Sequence, residues 1–101
     1  MSELVFLLSA DADIQAEYEF YEKYQPGRGE IFMKRLDEAL GRILAFPEAA
    51  PIFHEPYRRL LISGLPCGVF YTLEKRGIVV VAVIDLRQDP RKILQRLRPP
   101  E

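Results

Sequence analysis

Hydrophobic and polar positions divide this chain into a helical front half and a stranded back half. It opens on a short apolar run, Glu3–Leu8, which predicts a strand. Ser9 then offers a helix N-cap, with Asp11 and Asp13 in the first turn, where the helix dipole favours acids. From Ala10 to Tyr24 the pattern recurs at helical spacing: Ile14, Glu17 or Tyr18, and Tyr21, with Phe20 and Tyr24 widening the stripe. Pro26-Gly27-Arg28-Gly29 breaks that pattern. A second helix is predicted from Gly29 to Phe46. Phe32, Leu36, Ala39 or Leu40, Ile43 and Phe46 share one face, and Lys34, Arg35, Asp37, Glu38 and Arg42 lie opposite. Pro47 ends it. So short a link predicts an antiparallel helix hairpin.

Glu48–Pro56 is interrupted by Pro51 and Pro56 and reads as a loop. Beyond it, strands are predicted at Tyr57–Ile62 and Cys67–Glu74, with a turn at Ser63-Gly64 between them. Lys75-Arg76-Gly77 makes a hairpin turn, Gly77 being free to take positive φ. Ile78–Leu86 is almost wholly apolar and β-branched, as a central strand covered on its faces should be. Asp89-Pro90 starts a short helix, Arg91–Leu97, and Pro99-Pro100 closes the chain. The order β-α-α-β-β-β-α predicts an α+β fold in which an antiparallel curved sheet packs against the N-terminal helix hairpin. The first strand must find a distant partner, at a sheet edge or beside Ile78–Leu86.

Composition narrows the setting. A length of 101 residues fits a single domain, 1–101, and 49% hydrophobic residues suffice for a modest core. Cys67 is the sole cysteine, so no intrachain disulfide forms, as befits a reducing cytoplasm. The MSELVFLL start lacks a basic n-region, and the longest apolar run, Ile78–Ile84, is too short to span a bilayer. A soluble cytoplasmic protein without a membrane partner is expected. Net charge is −1, but residues 1–55 hold 11 acidic and 5 basic side chains, and residues 56–101 hold 4 acidic and 9 basic. The basic half is a candidate surface for an anionic partner.

The chemistry-bearing residues follow the strands. Arg58, Arg59, Arg87 and Arg91 are candidate cations, Tyr71 a phenol, and His54 the single imidazole. His54 lies in the Pro-rich loop, where a surface role fits, and Tyr71 in an apolar strand, where a core role with a satisfied hydroxyl fits. Arg58 and Arg59 fall on opposite faces of a strand that is apolar on both. One of them should meet buried surface and take either a carboxylate (Asp85 or Asp89) or an anionic ligand. Cys67 has no neighbouring His to activate it. The sequence has no metal-ligand spacing, P-loop or dinucleotide fingerprint, so neither metal nor cofactor is expected.

Several strings in this order resemble the RelE/ParE superfamily of type II toxin–antitoxin (plasmid stabilisation) toxins. They are Asp13-Ile14 with Phe20-Tyr21-Glu22, Pro26-Gly27-Arg28-Gly29 with Phe32, Pro47, Arg58 or Arg59, Leu65-Pro66 with Tyr71, and Ala82-Val83-Ile84 with Arg87, Asp89-Pro90 and Arg91. The resemblance implies a bacterial toxin held silent by a cognate antitoxin protein. Its ParE-like branch implies inhibition of DNA gyrase by binding, without chemistry of its own. Its RelE-like branch implies a ribosome-dependent mRNA endoribonuclease, for which Arg59, Tyr71 and Arg87 would be catalytic. Asp85 and Gln88 stand where His or Arg is frequent, which favours the ParE-like branch. The target-binding set is then Arg58, Arg59, Asp85, Arg87 and Arg91. A non-toxic orphan of the same fold and a homodimer are also compatible with the resemblance.

Overall fold

The computed structural model describes residues 3–97. β1 (Leu4–Phe6) leads into α1 (Leu8–Tyr24) and α2 (Arg28–Ala45), then come β2 (Ile52–His54), β3 (Tyr57–Leu61), β4 (Cys67–Glu74), β5 (Gly77–Asp85) and α3 (Pro90–Leu97). The strands form one curved five-stranded sheet in the order β1-β5-β4-β3-β2. The hairpin of α1 and α2 covers one face, where Phe32, Leu36, Ala39 and Ile43 meet Val69, Tyr71, Ile78, Val80 and Val83. α3 covers the other, where Ile93 and Leu97 meet Phe70, Ala82 and Ile84.

Four features depart from the sequence expectations. The segment predicted as a loop carries β2, which pairs with β3 and makes a fifth strand. β3 to β5 are antiparallel as predicted and β2 joins them antiparallel, whereas β1 joins the edge parallel to β5. Only the long α1–α2–β2–β3–β4 excursion separates these two strands, so nothing forces them to run antiparallel. α1 begins two residues earlier than Ser9 implied: Leu7 is its N-cap and offers no side-chain bond. Ser9 instead donates its hydroxyl to Val81 O at 3.1 Å.

The fourth departure is a bulge. Phe70 pairs with Ala82 and Tyr71 with Val80, so Val81 is an extra residue on β5. It inverts the inside–outside phase of the strand: Ile78, Val80 and Val83 face the helix hairpin, while Ala82 and Ile84 face α3. The edge of β5 beyond β1 is then closed by α1. Ser9 caps Val81 O, and Asp13 Oδ2 accepts from Val83 N at 3.0 Å while binding Arg96 at 2.7 Å. Four helical residues rise about 6 Å and two strand residues about 6.6 Å, so polar side chains at i and i+4 match successive groups along the edge.

Two junctions position the hairpin. Glu22 accepts from Gly27 N at 3.1 Å and Gly29 N at 3.0 Å, satisfying the first donors of α2 from the last turn of α1. A Cβ on Gly29 would meet the Tyr18 ring at 2.7 Å, so the close approach of the helices depends on that glycine. At the β4–β5 turn, Gly77 has φ +125 and sits where a Cβ would meet Glu3 O at 2.5 Å.

Candidate functional site

The sheet distributes the predicted site residues over several places. Arg58 lies on the helix-hairpin side, paired in register with Tyr71. Its Nη1 donates to Glu48 O at 2.9 Å and Ala50 O at 2.8 Å. It takes neither Asp85 nor Asp89: it ties the α2–β2 loop to the sheet. Tyr71 is fully buried and donates to Pro47 O at 2.7 Å. Burial raises its pKa, with Arg58 opposing the shift. Tyr71 is thus the core tyrosine its strand predicted, with its proton committed to a backbone carbonyl.

Arg59 lies on the opposite face, and its guanidinium stands 4.9 Å from the centre of the Phe53 ring. Phe53 is itself locked edge-on to buried Phe70 at 5.3 Å. Gly68 leaves the slot for the Arg59 stem, since a Cβ there would come within 3.1 Å of Arg59 Cγ. Among the described residues no carboxylate pairs with Arg59. His54 stands on exposed β2 and meets Glu55 O at 3.3 Å.

At the exit of β5, each arginine braces the acid two residues before it. Arg87 binds Asp85 through Nε at 3.0 Å and Nη2 at 2.6 Å, and Arg91 binds Asp89 through Nη2 at 3.0 Å. The hydrogen bonds from Arg87 hold the Asp85 carboxyl below its usual range, as those from Arg91 do for Asp89. Asp85 and Arg87 therefore act as one unit. Arg58, Arg59 and the Asp85–Arg87 unit do not converge: two sheet faces separate Arg58 from Arg59.

Beneath Asp85 lies a polar knot. The Cys67 thiol donates to Glu17 Oε1 at 3.3 Å and lies 3.9 Å from the Tyr21 hydroxyl. Burial, then the Glu17 charge, pushes the Cys67 thiol up to about 12, and burial likewise raises Tyr21. Desolvation also raises Glu17, with the Cys67 bond pulling the other way and Asp85 and Asp13 adding to the rise. A thiol held protonated is no nucleophile.

Next to this knot a cleft of about 300 Å³ opens between the end of α1, the β3–β4 turn and Arg87. Phe20 and Tyr24, assigned by periodicity to the apolar stripe, are 54% and 74% exposed there. Periodicity missed this because Tyr21 takes the inward position and stacks on Phe32 at 5.6 Å. The available signal was an aromatic pair at i and i+4 running into Arg28.

Among the described residues, no group of His, Cys, Asp or Glu is placed to hold a metal, and no helix is long and apolar enough to cross a membrane. The architecture is the ParE-like α+β fold. A chain of the solved "Chromosomal ParDE TA system from P. aeruginosa" is similar in structure, with a TM-score of 0.66 and 16% sequence identity over 85% of this chain and 97% of that one. No family model and no curated protein matches the sequence.

Proposed function

We propose that this chain is a ParE-like toxin of a type II toxin–antitoxin pair, silenced by a cognate antitoxin and acting on DNA gyrase by binding. The likeness to a chain of a ParDE system carries this reading. The state of the site residues favours binding over RNA cleavage. A ribonuclease of this fold needs a proton-transfer group and cations converging on one phosphate. Tyr71 is buried with its hydroxyl bound to Pro47 O, while Arg59 stands over Phe53 on the α3 side of the sheet and Arg87 lines the cleft at the end of α1. Arg59, held over Phe53 with no carboxylate partner among the described residues, and the Asp85–Arg87 unit are the groups best placed to meet a target.

Induced expression in a bacterial host tests the reading. Growth should stop, with plasmid linearised and gyrase covalently attached to its ends, and co-expression of the adjacent open reading frame should restore growth. Codon-positioned cuts in ribosome-bound messages, with gyrase untouched, would replace it by the ribonuclease reading. Unimpaired growth would leave a non-toxic member of the fold.

A further inference from the structure

The cleft beside Arg87 has a floor that belongs to the core, yet its aromatic rim is left in solvent. Phe20 and Tyr24 occupy successive turns of α1 with half or more of their surface in solvent. Leu65 and Pro66 form the facing wall, and the floor is Tyr21. At about 300 Å³ the space is at the small end for ligand sites and suits one large apolar side chain. Aromatic residues left exposed around a hollow of this size mark a contact surface.

The rims are cationic on both sides. Arg28 stands 5.8 Å from the centre of the Tyr24 ring and pairs with no carboxylate among the described residues. Arg87 faces it across the cleft, braced by Asp85 through Nε and Nη2. The Arg87 guanidinium is thus oriented before any partner arrives, which lowers the entropy lost on binding. Tyr and Arg, which line this cleft, are among the residue types that dominate protein–protein binding energy. Nucleic acid fits less well: the cleft is lined by two guanidiniums and no further cation, which makes no basic stripe to follow a phosphate backbone.

We propose that this cleft is a docking site for an acidic protein segment that places one apolar anchor between Phe20, Tyr24 and Leu65, with carboxylates reaching Arg28 and Arg87. The site does not depend on the toxin reading. It is tested on the full chain by following amide and tyrosine NMR signals during titration with the peptide Glu-Glu-Trp-Glu-Glu. Lys-Lys-Trp-Lys-Lys and a single-stranded oligothymidylate serve as comparisons. The acidic peptide should give saturable shifts confined to Phe20, Tyr24, Arg28, Leu65 and Arg87, weakened by salt. Arg28→Glu, which adds a favourable acid to the first turn of α2, should weaken the acidic peptide about tenfold and favour the basic one. Tyr24→Ser, a change at an exposed position, should weaken both peptides. No saturable shift up to about 1 mM, shifts elsewhere, a preference for the oligonucleotide, or indifference to Arg28→Glu would overturn the proposal.

Discussion

At the scale of single residues, the knot of Glu17, Tyr21 and Cys67 makes the sharpest claims. Burial pushes the Cys67 thiol up to about 12, which at pH 8 leaves about a thousandfold less thiolate than an ordinary cysteine carries. The native chain should therefore resist a disulfide reagent at pH 8 and release one equivalent only on unfolding; prompt native reaction would contradict the burial. Glu17 gives a pH dependence. Its folded pKa lies above the ordinary 4.5, so the folded state binds more protons than the unfolded chain, and stability falls as pH rises from about 4.5 through the folded value. Asp85 has the opposite sign: its lowered pKa supplies stability above the ordinary 3.8 that is lost as pH falls through the folded value. The windows lie on either side of pH 4, so they separate. Glu17→Gln keeps an acceptor for the Cys67 thiol, should raise the melting temperature at pH 7.5, and should flatten the upper window while leaving the lower one. An unchanged upper slope would show that another group sets it.

At the scale of elements, the legible part of the chain was whatever has a period or a breaker. The helix hairpin follows from the apolar face of α2 and from Pro26-Gly27, and the β4–β5 hairpin from Gly77. Two features had no such signal. β2 is three residues flanked by Pro51 and Pro56, and its pairing depends on β3 as a neighbour. The bulge at Val81 lies in a strand apolar on both faces, so no alternation reveals where the phase inverts. The site was less legible still, because partners decide it. Arg58 and Arg59 are adjacent and alike in sequence, yet one is tied to loop carbonyls and the other stands over Phe53. Asp13 looked like a first-turn acid and in fact joins α1, β5 and α3. Asp13→Ala should cost about 1–3 kcal/mol, because the Val83 N–H loses its acceptor and Arg96 its partner. Asp13→Asn retains an acceptor and should cost less. Hydrogen exchange at Val83 distinguishes them, since only the alanine variant should exchange markedly faster there; equal protection in both would mean that the β5 edge is closed by other groups.

At the scale of the whole molecule, the sheet divides the surface into regions with different duties. The cleft beside Arg87 is polar-rimmed, whereas the end of α2 carries Phe46 at 70% exposure beside an apolar hollow of about 300 Å³ lined by Ile43, Ala50, Leu60 and Tyr71. Leu61 and Ile52 add exposed apolar surface nearby. A chain of this size that leaves such a surface open gains stability from any partner that binds only the folded state. For the antitoxin proposed above, a partner present at about a thousand times its Kd adds about 4 kcal/mol. Because a chain of about a hundred residues shifts its Tm by about 4–8 °C per kcal/mol, the increase should be well over 10 °C. The test is a thermal melt of the purified chain with and without the product of the adjacent open reading frame. Phe46→Ser, a change at an exposed position, should leave the melt of the free chain nearly unchanged while reducing the gain from the partner. A full gain with the variant would move the partner's footprint off the end of α2, and no gain with the unaltered chain would remove that partner from the molecule's function.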